Sequence, residues 1–344
     1  MRQLLNTLFV MTPQAYLHLE GETLVVEVKR EKKLQVPLHH IGGVVTFGDV
    51  LVSPAVLQRC AGEGRGVMLL DRNGNFCARV EGPVSGNILL RQAQHKAAGD
   101  SKLTLALARA CIAGKLRNAR QVVLRGARDS HDSEDTGALR QTSRLLANHI
   151  RKLPEVADLD TLRGIEGDGA RVYFSAITNL IRRDQREIFQ FRQRSRRPPL
   201  DQFNALISFL YTLLIHDCRS ALEGVGLDPQ LGFLHAVRPG RPALALDLME
   251  EFRPVLADRL ALTLVNRGQL TERDFEHRIG GAVYLNEQGR KVVIAAYQQR
   301  KQEELNHPLL DQTVPVGLLP HVQARLLARA LRGDMEGYLP FLSR

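Results

Sequence analysis

The sequence predicts an α+β protein, with a small N-terminal β-rich domain at residues 1–85 and a larger, mostly α-helical catalytic domain at residues 86–344. Short stretches of alternating apolar and polar residues, separated by turn residues, fill the N-terminal part. Apolar residues at three- and four-residue spacing dominate the remainder. With 344 residues, the chain is long enough for two domains that each bury a substantial core.

The N-terminal domain opens with a predicted hairpin. Residues 15–19 (AYLHL) alternate, Gly21 and Glu22 mark a turn, and residues 23–28 return as the second strand. Further strands are predicted at residues 32–38, 41–47, 67–70 and 76–80, the last two joined by the turn residues 71–74 (DRNG). This region shows no chemistry of its own, and we interpret it as a scaffold or dimerisation module.

One short helix interrupts these strands. Ser53 is predicted to cap it, with Pro54 at the first helical position and Gly62 near its end. After a predicted hinge at residues 81–86 (EGPVSG), the pattern turns helical from Ile88 onward.

The predicted helices of the second domain follow in order. They cover residues 103–116, 139–153, 159–181, 204–214, 297–304 and 322–331, with a short capped helix at residues 270–275. In the first of them, Arg109, Lys115 and Arg117 are expected on the outside. Residues 129–136 are predicted as a polar loop, and residues 280–285 and 291–294 as a hairpin around residues 286–289. The last twelve residues, 333–344, are expected to form a mobile tail.

The charge indicates an anionic partner. Lysine and arginine number 47 against 37 acidic residues, which gives a net charge of +10 and a pI near 9.7. Residues 92–344 carry +8 of this charge, so we place the partner, nucleic acid rather than a membrane surface, on the helical domain. No apolar run is long enough to span a bilayer, and no helix combines a basic face with exposed bulky apolar residues.

The four cysteines argue for a reducing compartment. Cys60, Cys77, Cys111 and Cys218 are widely spaced and form no CxxC pair, so a disulfide framework and a zinc knuckle are both unexpected. The N-terminus has an apolar run without a small-residue cleavage site, which does not match a signal peptide. Together these features predict a cytoplasmic protein.

Residues 226–254 (GLDPQLGFLHAVRPGRPALALDLMEEFRP) hold the densest group of functional side chains. His235 stands ahead of a predicted helix that starts at Pro242 and carries Asp247, Glu250 and Glu251. On that helix Asp247 shares a face with Glu250 and with Glu251. Crowded carboxylates repel one another, so an arginine or a metal ion is expected nearby. This stretch alone favours a solvated acidic face slightly over a metal site.

Two further features stand upstream. Glu166 lies beside a core-facing stripe in a helix that contains Gly164, Gly167 and Gly169, which loosen the helix or permit close backbone approach. Residues 182–197 contain seven arginines, with Phe189 and Phe191 among them. Because arginine suits bidentate phosphate contacts, we predict DNA binding by this run. The predicted contacts are Arg182, Arg183, Arg192, Arg194, Arg196 and Arg197.

These motifs, in this order, resemble the CRISPR adaptation integrase, the CRISPR-associated endonuclease that inserts new spacers. The resemblance covers nearly the whole chain. It rests on residues 45–53 (VTFGDVLVS), 164–174 around Glu166, 196–206 (RRPPLDQFNAL) and, most specifically, 226–235 with 246–254. It implies metal ligands at Glu166, His235 and Glu250, with Asp247 supporting the metal or a bridging water. Glu251 stands where family members often have proline, and we assign Glu250 as the ligand because of its spacing from Asp247.

The resemblance also implies a reaction and partners. Two carboxylates and one imidazole suit Mg²⁺ or Mn²⁺. The implied reaction joins the 3′-hydroxyls of double-stranded DNA fragments to CRISPR leader-repeat DNA by transesterification, in a homodimer bound to a small companion adaptation protein. Whether an iron–sulfur exonuclease joins this complex stays open. Two alternatives are a stand-alone metal nuclease acting by hydrolysis and a non-catalytic DNA-binding scaffold.

Overall fold

Two four-stranded sheets and one helix make up the N-terminal domain in the computed structural model, which describes residues 7–72, 76–82 and 88–343. The strands are β1 (Thr7–Val10), β2 (Ala15–Glu20), β3 (Thr23–Val28), β4 (Glu31–Pro37), β5 (Gly43–Phe47), β6 (Leu51–Val52), β7 (Gly66–Leu70) and β8 (Phe76–Val80), with helix α1 (Pro54–Gly62) between β6 and β7. Ser53 caps α1 by accepting the N–H of Val56, as predicted.

The strands are ordered β4-β3-β2-β6 in one sheet and β1-β5-β7-β8 in the other. The predicted hairpin is β2–β3, with Tyr16 opposite Glu27 and Gly21 at a φ of +57° in its turn. In the second sheet β1, β5 and β7 are parallel and β8 is antiparallel to β7. Residues 73–75 of the predicted β7–β8 turn lie outside the described residues.

The second sheet is apolar on both faces. Val44 and Val67 point into a core shared with the first sheet and α1. Their neighbours Val45 and Met68 point the other way and join the core of the helical domain. The two predicted domains therefore pack against each other through one face of a sheet. The predicted boundary at residue 85 and hinge residues 83–86 fall outside the described residues, so they stay predictions.

The helical domain confirms the α+β prediction. Its helices are α2 (Ile88–Gly99), α3 (Ser101–Asp129), α4 (Ser133–Lys152), α5 (Leu159–Ser175), α6 (Ile177–Leu180), α7 (Gln202–Val225), α8 (Ala243–Glu250), α9 (Arg259–Asn266), α10 (Glu287–Gln302) and α11 (Leu319–Arg332). Within the described ranges, α7 alone is long and apolar enough by composition to cross a membrane. Since 61% of its most apolar window is buried inside the fold, α7 has the packing of a core helix.

Two predicted boundaries were wrong. Residues 133–136 belong to α4 and not to a polar loop, because Asp132 caps that helix by accepting the N–H of Asp135. The predicted helix at residues 159–181 is divided at Ala176 into α5 and α6.

The C-terminal hairpin was also misplaced. Val283–Leu285 (β10) pairs with Phe275–His277 (β9), while Asn286 caps α10, so residues 291–294 are helical and not a strand. A hairpin that the sequence analysis missed pairs Glu304–His307 (β11) with Gln312–Pro315 (β12). The expected mobile tail is wrong as well, since Tyr338 and Phe341 are buried in the main core.

His216, on α7, lies where that helix meets β7. A Cβ at Gly66 would lie 3.7 Å from its Cε1. Burial, reinforced by the charge of Arg79 and opposed by that of Asp217, lowers the pKa of His216 from 6.5 to about 4. Between these values the unfolded imidazole binds a proton and the folded one does not. The contribution of His216 to the free energy of unfolding is therefore expected to fall as the pH drops from 6.5 to 4.

The loss should be on the order of 3 kcal/mol, at about 1.4 kcal/mol per pKa unit. Urea unfolding at several pH values measures it. His216→Gln should flatten this part of the profile, whereas the same change at the exposed His131 should leave it intact. Parallel profiles for both variants would contradict the prediction.

Candidate active site

One buried carboxylate organises the loop that carries His235. Asp247, on α8, accepts the backbone N–H groups of Phe233 and Leu234 through Oδ2, at 2.6 and 3.0 Å. Its Oδ1 accepts the backbone N–H of His235 at 3.0 Å and lies 2.6 Å from Nδ1 of the same residue. This network assigns the imidazole proton to Nδ1, so the lone pair of Nε2 is directed away from Asp247.

Glu250, one turn further along α8, faces the same imidazole. Its Oε1 lies 3.7 Å from Nε2 of His235 and 3.1 Å from Nε of Arg253, and its Oε2 lies 2.7 Å from Nζ of Lys115. Burial by itself raises the pKa of Glu250. The charges of Arg253 and Lys115 outweigh burial and lower the pKa to about 2. This carboxylate is therefore charged at neutral pH.

Lys115, on α3, connects α8 to α5. Its ammonium group contacts both Glu250 and Glu166. The expectation that Arg109 and Lys115 lie on the outside of their helix was wrong. The Lys115 side chain is only 14% exposed, and Arg109 donates to the carbonyl of Val156 at 2.6 Å. Helix α3 packs against α4, α5 and α8, so more than one of its faces is covered.

The glycines around Glu166 serve different purposes. A Cβ at Gly169 would lie 2.5 Å from a methyl carbon of Leu116, so this position needs glycine for close helix packing. Side chains at Gly164 and Gly167 would meet nothing within 4 Å. The face of α5 that carries these two glycines is therefore open next to its backbone.

A chain of contacts links the four predicted residues: Asp247 and Glu250 both approach His235, and Lys115 joins Glu250 to Glu166. Two cations that the sequence analysis did not assign, Lys115 and Arg253, belong to the same group. Arg253 is three residues after Glu250 and stacks over the ring of Tyr211, with its Cζ 4.5 Å from the ring centroid. That spacing on a helix was the available signal. No sequence signal pointed to Lys115, because its partners come from two other helices.

The donor set fits a divalent cation. It comprises two carboxylates and an imidazole whose far nitrogen is held by a further carboxylate, a pattern typical of metal-binding histidines. A protein ammonium group already lies between Glu166 and Glu250. The pocket is therefore built to hold positive charge between these two residues.

Glu251 points away from this group. Its side chain is 1% exposed and accepts hydrogen bonds from the Tyr338 hydroxyl at 2.6 Å and the Phe341 N–H at 2.5 Å. Burial raises its pKa from 4.5 to about 8, although these bonds act in the opposite direction. Glu250 is thus the residue of this pair that lies at the candidate site. Its assignment as a metal ligand stays a prediction.

The arginine run divides into parts with different surroundings. Arg182, Arg183 and Arg186 form ion pairs with Asp184, Asp132 and Asp135, at 3.1, 2.6 and 2.5 Å. Phe189 and Phe191, which lie among these arginines, are buried in the core and cannot stack on bases.

The second half of the run turns toward the candidate site. Arg194 is used internally, because it donates to Asn204 at 2.6 Å and to Ser208 at 3.1 Å. Arg192, Arg196 and Arg197 are exposed. Burial lowers the pKa of Arg196, as do the charges of Arg197, Arg253 and Arg241, while Glu250 raises it. Arg196 is therefore close enough to Glu250 for their charges to interact, and it lies among other arginines.

A second group of possible ligands lies on the first sheet, where atoms of His18, Glu20 and Glu27 are within 4.8 Å of one another. Lys32 pairs with Glu20 at 2.7 Å, and His18 with Glu27 at 3.2 Å. Both carboxylates thus already have a partner in the fold, and the group carries no functional assignment.

Gly232 leaves the loop no space for a side chain. A Cβ there would lie 2.6 Å from the carbonyl carbon of Ala243 and 2.8 Å from Oδ2 of Asp247. Gly232→Ala is expected to push the loop off Asp247 and to lower stability by about 1–3 kcal/mol, the usual cost of overpacking. Thermal unfolding measures this cost. Gly240→Ala, at a loop position with open space but a φ of +72°, separates the clash from backbone strain. An equal cost at both positions would contradict the prediction.

Comparison with known proteins agrees with this geometry. The profile of the family described as CRISPR associated protein Cas1 matches residues 8–299. A relative from Moorella thermoacetica, CRISPR-associated endonuclease Cas1 1, is 57% identical over the full length of both chains. A CRISPR-associated exonuclease Cas4/endonuclease Cas1 fusion from Geobacter sulfurreducens is 36% identical across 98% of this chain and 60% of its own length. The chain belongs to the Cas1 family.

Two solved structures share the fold. A casposase bound to integration product superposes with a TM-score of 0.82 at 21% identity, covering 98% of this chain and 93% of the casposase. A Cas6-RT-Cas1–Cas2 complex contains a chain that superposes with a TM-score of 0.83 at 22% identity, covering 98% of this chain and 36% of that one. At these identities the likeness establishes the fold.

Proposed function

We propose that this protein is a metal-dependent DNA endonuclease and integrase of CRISPR adaptation. It would join the 3′-hydroxyls of captured double-stranded DNA fragments to leader-repeat DNA. The observation that carries the proposal is the approach of Glu250 to His235, with Lys115 linking Glu250 to Glu166, beside exposed arginines. Membership of the Cas1 family, whose relatives are called endonucleases, supports nuclease activity.

The residues divide the chemical work. Asp247 holds the His235 ring in one tautomer, so that Nε2 faces Glu250 with its lone pair free. Glu250, Glu166 and His235 would hold Mg²⁺ or Mn²⁺. When bound, the ion neutralises charge on the scissile phosphate and helps to activate the attacking oxygen.

The arginines at the rim supply affinity for the DNA backbone. Arg196 and Arg197 are exposed, and Arg196 lies close enough to Glu250 for their charges to interact. Planar guanidinium groups bind phosphate oxygens in a bidentate manner, and each neutralised phosphate adds to affinity. Arg182 and Arg183 remain possible contacts, although their acidic neighbours reduce the positive charge they present.

In strand transfer, the 3′-hydroxyl of the fragment loses its proton as its oxygen forms a new bond to a phosphorus of the target strand. The bond between that phosphorus and the target's own 3′-oxygen breaks, and the released oxygen takes up a proton. Water in place of the 3′-hydroxyl gives hydrolysis by the same site. The DNA end presented to the site therefore decides between joining and cutting.

The proposed assembly is a cytoplasmic homodimer that works with a small companion adaptation protein. The shared fold with a chain of a Cas6-RT-Cas1–Cas2 complex supports such a companion. The relative that is fused to Cas4 supports cooperation with an iron–sulfur exonuclease.

A strand-transfer assay tests the proposal. Purified protein and its companion would be incubated with a labelled duplex and a supercoiled plasmid carrying leader and repeat, with Mg²⁺ or Mn²⁺. The His235→Ala variant runs in parallel. A joined product that requires the metal and disappears in the variant is expected. Cleavage without joining would favour the hydrolytic nuclease, and metal-independent activity that survives the substitution would overturn the proposed site.

A further inference from the structure

The C-terminal segment Asp334–Ser343, called the C-terminal clip below, lies behind α8. The match to the family profile covers residues 8–299 and therefore does not include the clip. We propose that the clip positions Glu250 by holding the back of α8 against α3, and that Glu251 is the positioning residue through which it acts. The effect of the clip on metal binding and catalysis rests on the proposed function, in which Glu250 is a metal ligand.

Glu251 is the main attachment point on α8. Its two carboxylate oxygens accept hydrogen bonds from the Tyr338 hydroxyl and the Phe341 backbone N–H, at 2.6 and 2.5 Å. Gln323, on α11 and fully buried, donates to the Tyr338 hydroxyl at 3.0 Å and to the Leu339 carbonyl at 3.1 Å. The clip is thus tied to α8 and α11 by one continuous network of buried hydrogen bonds, in which each bond supports its neighbours.

Asn118 attaches the same segment to α3. Its side-chain nitrogen donates to the carbonyls of Glu251 and Phe341, at 2.7 and 2.9 Å, and its oxygen accepts the Ser343 N–H at 2.8 Å. One buried amide therefore joins α3, the C-terminal end of α8 and the clip. Three of its hydrogen-bonding positions are used, which fixes the amide in one orientation.

Close packing adds to these bonds. A Cβ at Gly114 would lie 2.8 Å from Pro340 and 3.0 Å from Cβ of Glu251, so clip and helix touch the backbone of α3 directly. Gly114 precedes Lys115, the residue that contacts Glu250 and Glu166. The Phe341 ring stacks on Phe252 with centroids 5.9 Å apart. The clip therefore contacts positions adjacent to two charged residues of the site.

The arrangement explains how a short helix can hold a reactive carboxylate. Helix α8 has eight residues, and a helix of this length depends on tertiary packing for its stability. Glu250 and Glu251 are consecutive, so their side chains point about 100° apart around the axis. With Glu250 held by Lys115 and Arg253 and Glu251 held by the clip, rotation of the helix would break one set of contacts.

The test uses the full-length chain with single substitutions. Tyr338→Phe removes one hydroxyl from the clip, and Glu251→Ala removes the attachment point. Glu251→Gln keeps the shape and offers both a donor and an acceptor. Tyr297→Phe is the matched control, because Tyr297 is also buried and donates to a carboxylate, Asp217, at 2.7 Å. The readouts are Mn²⁺ affinity by calorimetry and hydrogen exchange of α8 compared with α7.

Glu251→Ala and Tyr338→Phe are expected to weaken Mn²⁺ binding by about 10- to 100-fold. This is the usual effect of losing a residue that supports a metal ligand without touching the metal. Hydrogen exchange in α8 should become faster in these two variants while exchange in α7 stays unchanged. Glu251→Gln should keep both Mn²⁺ affinity and α8 exchange near those of the unmodified protein. The positioning role would be overturned if Glu251→Ala and Tyr338→Phe left Mn²⁺ affinity and α8 exchange unchanged and only lowered the melting temperature, as Tyr297→Phe does.

Failure of the proposed function gives a different pattern. If the unmodified protein neither binds Mn²⁺ nor joins DNA, the metal site is wrong, and α8 exchange alone then decides the role of the clip. Faster exchange confined to α8 in Tyr338→Phe would still support the clip, whereas exchange identical to that of the unmodified protein would overturn it.

Discussion

Glu250→Gln is expected to abolish metal-dependent strand transfer, whereas Glu251→Gln should retain it. The first change removes the negative charge from a buried carboxylate, one oxygen of which faces His235 and the other Lys115. The second alters a carboxyl whose pKa of about 8 already keeps it largely neutral near pH 7. Loss of a residue that only supports a metal ligand commonly lowers metal affinity or activity by about 10- to 100-fold. Loss of the ligand itself should therefore have a larger effect.

The two variants are matched, because they make the same chemical change at adjacent positions of one helix. Initial rates of strand transfer, measured with each protein at saturating DNA and several Mn²⁺ concentrations, compare them directly. Equal loss in both variants would mean that the helix as a whole is disturbed. Loss only in Glu251→Gln would move the metal site to the other side of α8.

Lys115→Met is expected to destabilise the metal-free protein and at the same time to strengthen its binding of Mn²⁺. Without the ammonium group, Glu250 and Glu166 face each other with less compensating charge. Removing one partner of a buried ion pair typically costs about 3–5 kcal/mol. Since the ammonium group and a divalent cation need the same oxygens, the substitution also removes a competitor.

Urea unfolding in EDTA and in Mn²⁺ measures both effects. The stability difference from the unmodified protein should be large in EDTA and should shrink in Mn²⁺, since a ligand that binds the folded state stabilises it. Lys102→Met, at an exposed position of the same helix, is the control. A variant as stable as the unmodified protein in EDTA, with unchanged Mn²⁺ affinity, would show that Lys115 does not share its position with the metal.

The fold class followed from the sequence because the signals that define it are local. Alternation at residues 15–19 and 23–28, with Gly21 between them, predicts the β2–β3 hairpin without reference to the rest of the chain. Ser53 and Pro54 mark the start of α1 in the same way. Errors arose where two local signals compete. Residues 286–289 (NEQG) are compatible with a turn, but Asn286 instead caps α10, and β10 pairs with β9 upstream.

The candidate site was predictable only in part. Asp247 and Glu250 are one helical turn apart, so their shared face follows from periodicity alone. The choice between Glu250 and Glu251 does not, because it depends on what covers each side of α8. Tyr338 and Phe341, almost ninety residues downstream, donate hydrogen bonds to Glu251. Glu250, on the other side of the helix, instead pairs with Lys115 and Arg253.

The sequence by itself thus determined the α+β class, the positive charge of the helical domain and the set of carboxylates and imidazole that could bind a metal. Only the tertiary structure decided which side chains are buried together. It placed Lys115 inside, used Arg194 internally and turned an expected mobile tail into a buried clip. The physical reason is that helix periodicity and caps act over a few residues, whereas burial and charge pairing depend on elements far apart in the chain.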